Sequence, residues 1–163
     1  MRVYTVPLDS PAAVAAQVDI FEIAPAAEKP IMLLGFELGQ TSEIGDAGEE
    51  MLEMALKIVT GAPTSGSGGS TRTARAVVFN DAAYANDAAG ATIEVYNTTK
   101  LTGGTSATYK NFLWNVRMPL LYVPVPEARI ICPGSEHLVL ELIKTPADSI
   151  DKVTGWVEFA QLV

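Results

Sequence analysis

Ten prolines punctuate the chain from end to end: Pro7, Pro11, Pro25, Pro30, Pro63, Pro119, Pro124, Pro126, Pro133 and Pro146. Each fixes its own φ, offers no amide donor, and biases the residue before it away from the helical region. Residues 120–134, with Pro124, Pro126 and Pro133 inside them, cannot form an ordinary helix. A fold tolerant of such spacing is built from short extended segments.

The apolar pattern agrees. Met32, Leu34, Phe36 and Leu38 alternate with Leu33, Gly35 and Glu37, as in a strand with one buried face. Residues 3–8, 93–96, 139–143 and 156–162 are further β-prone runs. Residues 50–59 fit two patterns. Leu52, Met54, Leu56 and Ile58 share one parity, whereas Met51, Leu52, Ala55, Ile58 and Val59 approach helical spacing, and the composition favours helix. The alternation is cleaner and the neighbours are strands, so strand is the expectation. Turn-rich clusters at 39–48, 61–73 and 102–105 separate the runs. Together they predict an all-β chain: one antiparallel β-sandwich over 1–163, jelly-roll-like, of roughly seven to ten strands with long irregular loops.

The predicted inward set is Leu34, Phe36, Leu38, Leu56, Ile58, Val95, Trp114, Val139, Val157 and Phe159. A slip of one residue on any strand would exchange its faces. Residues 64–71, Thr-Ser-Gly-Ser-Gly-Gly-Ser-Thr, form a flexible loop by composition, and 80–90 an irregular insertion or short helix. Residues 1–17 fit either an extended arm or, through 2–8, a first strand.

Charge and hydropathy exclude several partners. The apolar fraction is 48% against 18% charged, a globular balance. A spanning helix needs about 20 consecutive apolar residues, and the best run, 31–38, already holds Gly35 and Glu37. The N-terminal residues lack an apolar signal region, so synthesis in a cytosol, with retention there or release by lysis, is the expectation. The net charge is −8, with ten acids and three bases in residues 1–60. That sign disfavours nucleic acid and anionic membranes.

No catalytic constellation is legible. His137 is the only histidine, and it stands in Gly134-Ser-Glu-His-Leu138 with no G-x-S-x-G elbow anywhere. A surface or strand-edge position is expected for it. Cys132, the only cysteine, follows Ile130 and Ile131 and reads as an inert core thiol. One Cys and one His cannot build a four-ligand zinc site. Asn80-Asp81 and Asn86-Asp87 lack calcium-loop spacing. Gly61 and Gly66 have P-loop spacing, but Ser67 and Gly68 stand where Lys and Ser/Thr are required. Glu49, Glu50 and Glu53, or Asp148 and Asp151, are paired acids of the kind glycosidases use, with few aromatic platforms beside them. The expectation is a non-enzyme with no cofactor and no metal.

Phe112-Leu-Trp-Asn-Val-Arg-Met-Pro119, Tyr122-Val-Pro-Val-Pro-Glu127, Pro146-Ala-Asp-Ser149 and Thr154-Gly-Trp-Val-Glu-Phe159 have a familiar style, as do Phe36-Glu-Leu-Gly-Gln-Thr-Ser42 and the glycine-serine loop. The chain resembles small β-sandwich virion proteins of tailed bacteriophages, of the capsid decoration (cement) or head-spike type. That resemblance implies a homo-oligomer, expected to be a trimer, bound to the major capsid protein on the virion surface. No functional residue carries over from it. Leu120, Leu121, Tyr122 and Val123, with Met51 and Met54, are the candidate subunit contacts, set against ordinary burial in the core. The alternative is a carbohydrate- or receptor-binding module using Trp114, Trp156 and Tyr109 as stacking platforms, although Trp156 sits in a strand pattern that favours the core.

Overall fold

A computed structural model describes residues 1–41, 50–78 and 90–162. The candidate calcium residues Asn80, Asp81, Asn86 and Asp87, and Glu49 of the paired acids, lie outside them. The described strands are β1 (Arg2–Pro7), β2 (Asp19–Pro25), β3 (Ile31–Gln40), β4 (Met51–Thr60), β5 (Ser70–Arg72), β6 (Arg75–Ala76), β7 (Ala91–Asn97), β8 (Thr105–Asn115), β9 (Leu120–Tyr122), β10 (Ile131–Cys132), β11 (His137–Leu142) and β12 (Val153–Gln161). A single 3-10 turn, Pro126–Ala128, is the only helical element among the described residues.

The strands form two antiparallel sheets of six. The first runs β10-β3-β12-β1-β6 with β9 also on β3, and the second runs β5-β7-β2-β11-β4-β8. Eight strands have six residues or more, and four edge pieces of two or three bring the total to twelve, above the expected number. Residues 51–60 are a strand, so alternation wins over helix propensity there. Arg2–Pro7 is a strand as well, held between β12 and β6, and Leu8, Ser10 and Val14 continue the pairing with Gly155, Val153 and Ile150. The sequence left that segment open between arm and strand, and the sandwich takes it up.

The core lies between the sheets. Phe36 on β3 is its centre, with ring centroids 5.8 Å from Phe21, 5.5 Å from Phe112 and 5.3 Å from Tyr122. Tyr4 stacks on Phe159 at 5.6 Å. Each such ring, fully buried, contributes about 1.5–3 kcal/mol by leaving water. Phe36, Leu38, Leu56, Ile58, Val95, Trp114, Val157 and Phe159 all face this core, as the alternation predicts.

Two inward assignments are corrected. Along β3, Phe159 pairs with Leu33 while Glu158 pairs with Gly35, so Leu34 is the extra residue of a bulge. Ile31 and Leu33 therefore face inward, Leu34 turns out half-buried, and Phe36 and Leu38 resume the inner face. On β11 the inward residues are Leu138, Leu140 and Leu142. Val139 pairs with Glu22 and Lys57 on the opposite face, and is fully buried there.

β12 pairs along the whole of β3, so β9 and β10 occupy the other edge of that strand. The Phe112 and Tyr122 rings meet at 5.1 Å, which puts this edge beside β8, the last strand of the second sheet. One side wall of the sandwich is thus made by β8, β9 and the chain from there to β10.

Candidate functional site

The outer face of the second sheet carries a polar network that sequence spacing does not reveal. Glu22 on β2 is its hub. Its Oε1 lies 2.7 Å from His137 Nδ1, and its Oε2 accepts from the Gly66 amide at 3.0 Å and from Asn97 Nδ2 at 3.3 Å. Ser65 also bonds to this carboxylate. Burial alone would raise the Glu22 pKa, but the bonds from His137, Ser65 and Gly66 outweigh it and hold the carboxyl below its ordinary value. His137 is therefore a buried partner of Glu22 at the start of an interior strand, not the surface or strand-edge histidine expected; β11 points it into the layer that the 61–69 loop covers.

Nearby, Glu141 is clamped by Lys57 and Lys100, each at 2.6 Å. Burial again raises its pKa, and the two ammonium groups overcome that and lower it. Asp19 is different. Its Oδ2 accepts from the Leu101 amide at 2.7 Å, while Oδ1 is buried with no hydrogen-bond partner among the described residues. Burial dominates and raises its pKa to about 6.

The chemistry of this layer is that of a clasp. In a hydrolytic triad the histidine stands between nucleophile and acid; here the carboxylate of Glu22 stands between Ser65 and His137. Its lone pairs are occupied in holding the 61–69 loop against the sheet. Gly66 fits because an added Cβ would lie 2.7 Å from Asn97 Nδ2. Cys132 is fully buried, and burial, with Glu136 adding to it, pushes its thiol up to about 12. Glu50 accepts from the Ala147 amide at 2.8 Å, and Asp148 and Asp151 are exposed. Among the described residues no three His, Cys, Asp or Glu side chains are grouped to hold a metal ion.

The side wall is the second distinctive feature. Met118 is 64% exposed, Leu121 60%, Val123 61%, Val125 64% and Ile131 52%, so five large apolar residues within fourteen positions face outward. The register connects three of them: Leu121 is opposite Glu37, Val123 lies against Gly35, and Ile131 is opposite Met32. The geometry explains the exposure. Leu121, Val123 and Val125 share one parity, so when Tyr122 turns in towards Phe36 the odd positions turn out. Gly35 permits the close approach of this segment, since a Cβ there would lie 2.7 Å from the Tyr122 carbonyl oxygen.

Of the candidate contacts, Leu121 is in the wall, while Leu120 and Tyr122 are half-buried against the core. Met51 is 46% exposed, but on the outer face of the second sheet. Met54 is fully buried opposite Phe112 and cannot meet a neighbouring subunit; Leu52, Met54, Leu56 and Ile58 of β4 all face the core. Val125, Ile131 and Met118 were missed, although the alternation beginning at Leu121 points to the first of them. Among the candidate sugar platforms, Trp114 is buried and donates from Nε1 to the Met118 carbonyl at 2.8 Å. Tyr109 is 55% exposed. Trp156 is corrected: Val157 and Phe159 take the inner face of β12, and Trp156 lies half-buried on the outer face with Nε1 donating to Glu37 Oε2 at 2.9 Å.

No protein-family model matches the chain, and no curated protein or solved structure is significantly similar to it.

Proposed function

We propose that this chain is a non-enzymatic assembly protein: a virion component of a tailed phage, of the capsid-decoration type, that binds the major capsid protein as a homo-oligomer, expected to be a trimer, and stabilises the head. The single observation that carries the reading is the row of exposed apolar residues, Met118, Leu121, Val123, Val125 and Ile131, along one edge of a rigid sandwich. Apolar side chains exposed together in this way mark protein–protein contact. The sandwich behind it supports such a role, because a surface that docks by shape needs a scaffold that does not yield. The test is addition of the purified protein to heads assembled without it. Saturable, stoichiometric binding that raises the temperature at which heads rupture is the expected result. Absence of binding at micromolar concentration overturns the reading.

A second reading, a carbohydrate- or receptor-binding module of a tail or spike, draws support from Trp156. A half-buried outward indole pinned by Glu37 on the outer face of the sheet offers a stacking platform with a carboxylate beside it. Titration of tryptophan fluorescence with a glycan panel tests it: a saturable shift lost in Trp156→Ala supports it, and no response to any glycan removes it.

A further inference from the structure

We infer that the free edge of β8 is a pairing surface for a second copy of this chain. The β8 strands of two copies meet edge to edge, antiparallel, about a two-fold axis, and join two six-stranded sheets into one. Of the reading above this uses only that the chain associates with itself. Three observations carry it.

The first is that the edge is open. β8 is the last strand of the second sheet and pairs on one side only, with β4. All seven residues from Thr105 to Asn111 are exposed. Successive side chains of a strand point to opposite faces, so this stretch stands clear on both faces as well as along its edge. The amides and carbonyls directed away from β4 have no strand beside them among the described residues. An extended polypeptide backbone supplies donors and acceptors at that spacing, which is how a strand is added to a sheet.

The second is that the edge is poorly guarded. Sheets blunt their edges with short strands, prolines and charges. The other edges here do so: β5 and β9 have three residues each, β6 and β10 two, and Pro119, Pro124 and Pro133 flank β9 and β10. β8 has eleven residues, no proline, and Lys110 as its only charge. The Lys110 ammonium is drawn over the Tyr122 ring, 6.0 Å from its centroid, and so leans towards the first sheet instead of standing along the edge. At Tyr109 the register on β4 slips by one, a bulge that divides the strand into runs of four and six residues. Each run is longer than any of the other edge strands.

The third is what can match it. An antiparallel ladder needs a partner edge of comparable length, and among the described residues of a second copy only β8 offers one. A strand laid antiparallel on its own copy defines a two-fold, isologous contact. Centred on Thr108, the midpoint of the exposed run, the pairing sets Thr108 against itself and Thr105 against Asn111, polar pairs of the kind that hydrogen-bond across strands. The two Lys110 side chains then start four positions apart along the ladder, about 14 Å, which exceeds the screening length of ~8 Å at physiological salt. On β4 the only charge opposite residues 105–111 is Lys57, which is paired with Glu141 at 2.6 Å. A three-fold ring has no place within it for a two-fold contact, so in a trimeric protein this pairing joins one trimer to another.

The experiment uses the full chain and the variant Ser106→Lys/Thr108→Lys, which adds charge to the exposed run; circular dichroism and a thermal melt establish that it is folded. Sedimentation velocity is expected to give the wild type twice the mass of the variant. Hydrogen exchange is expected to show amides of 105–111 at least tenfold slower in concentrated wild type than in dilute wild type, a comparison that needs no variant. Equal masses for wild type and folded variant overturn the inference, as does a wild-type oligomer whose β8 amides exchange alike at all concentrations. Amides that stay open in the purified protein and close only when heads are added also overturn it, because the strand received then belongs to the capsid. Head binding is scored separately: a variant of half the mass that still adds saturably to heads supports both readings. A wild type that pairs through β8 and binds no heads supports the inference and overturns the proposed function alone.

Discussion

Nδ1 of His137 lies 2.7 Å from Oε1 of Glu22, a buried pair formed by residues 115 positions apart. β11 and β2 are neighbours in the second sheet, and both side chains leave its outer face. The pair sits where a sandwich strand ordinarily meets solvent, and it is dry because the 61–69 loop is drawn over it. Ser67 and Thr64 bridge to Thr99 and Thr102, and the Gly66 amide reaches Glu22 directly. A loop whose composition reads as flexible is fixed by these two bridges and by one carboxylate beneath it.

Substituting Glu22→Gln is expected to destabilise the protein by about 2–3 kcal/mol, the usual cost of losing a buried hydrogen bond to a charged group. Hydrogen exchange at residues 64–68 should accelerate by a similar factor, with β3 and β12 changing less. Because the Glu22 pKa is lowered in the fold, its stabilisation is present above the unfolded value of about 4.3 and lost as pH falls through the lower folded value. The variant should therefore show a flatter loss of stability in acid. Unchanged exchange in the loop would mean that the clasp does not depend on this carboxylate.

Asp19 acts in the opposite sense. Burial raises its pKa to about 6, so the folded protein holds this proton more tightly than the unfolded chain does. The associated stability is complete below about 3.9, the unfolded value, and is lost as pH rises through the folded one. A shift of roughly two units corresponds to about 3 kcal/mol. Asp19→Asn keeps an acceptor for the Leu101 amide and removes the buried charge, so it is expected to stabilise the protein by up to that amount at pH 8 and by little at pH 4. Urea unfolding at the two pH values measures this. A variant weaker than wild type at pH 8 would show that the ionised oxygen is compensated. Taken with Glu22, the wild type should be most stable in weakly acidic solution.

Met54 and Met51 provide a contrast between core and surface on one strand. Met54→Ala removes a fully buried side chain packed near Phe112 and should cost about 2–5 kcal/mol. Met51→Ala, at a half-exposed position, should stay within about 0.5 kcal/mol. Chemical denaturation of both variants checks the pair, and equal losses would place Met51 in a buried contact.

Gly35→Ala tests how the wall is built. The new Cβ would lie 2.7 Å from the Tyr122 carbonyl oxygen and 3.3 Å from the Val123 side chain. β9 must move outward or β3 must bend, at a cost of about 1–3 kcal/mol. The near-ultraviolet signal of Tyr122, which packs on Phe36 and Phe112, should change with it. A wild-type melt and spectrum would mean that β9 is not seated against β3.

The class of fold was legible because its causes are local. Prolines and alternation act within a few residues, and they are sufficient for strands. The misassignments of Leu34 and His137 arise where the cause is distant. Leu34 changes face because β3 carries one residue more than β12 at a bulge, which only the paired strand defines. His137 is buried on the outer face because a loop some seventy residues earlier closes over its partner Glu22, whereas Trp156 is a local case, pointing outward because Val157 and Phe159 already fill the inner face of β12. The wall was legible only at Leu121 and Val123. Ile131 joins it through pairing with Met32, a hundred residues away, and nothing in the local sequence records that.

The same topology sets an expectation for folding. Among the described residues no two consecutive strands are hydrogen-bonded neighbours: β1 pairs with β12 and β6, β2 with β11 and β7, and β4 with β11 and β8. These strands offer no hairpin to form early and cheaply. The first stable pairing must close a loop of tens of residues before any contact compensates the lost entropy. Proteins dominated by such distant contacts fold in milliseconds to seconds, whereas helical bundles of similar size fold far faster. Stopped-flow refolding from urea, followed by tryptophan fluorescence, should therefore give a main phase no faster than milliseconds. Trp114 and Trp156 lie on different sheets, so both should report that phase if the sheets form together. Trp114→Phe and Trp156→Phe variants separate the two signals. A submillisecond main phase, or sheets that form at clearly different rates, would mean that local structure in one sheet precedes the pairing seen in the finished sandwich.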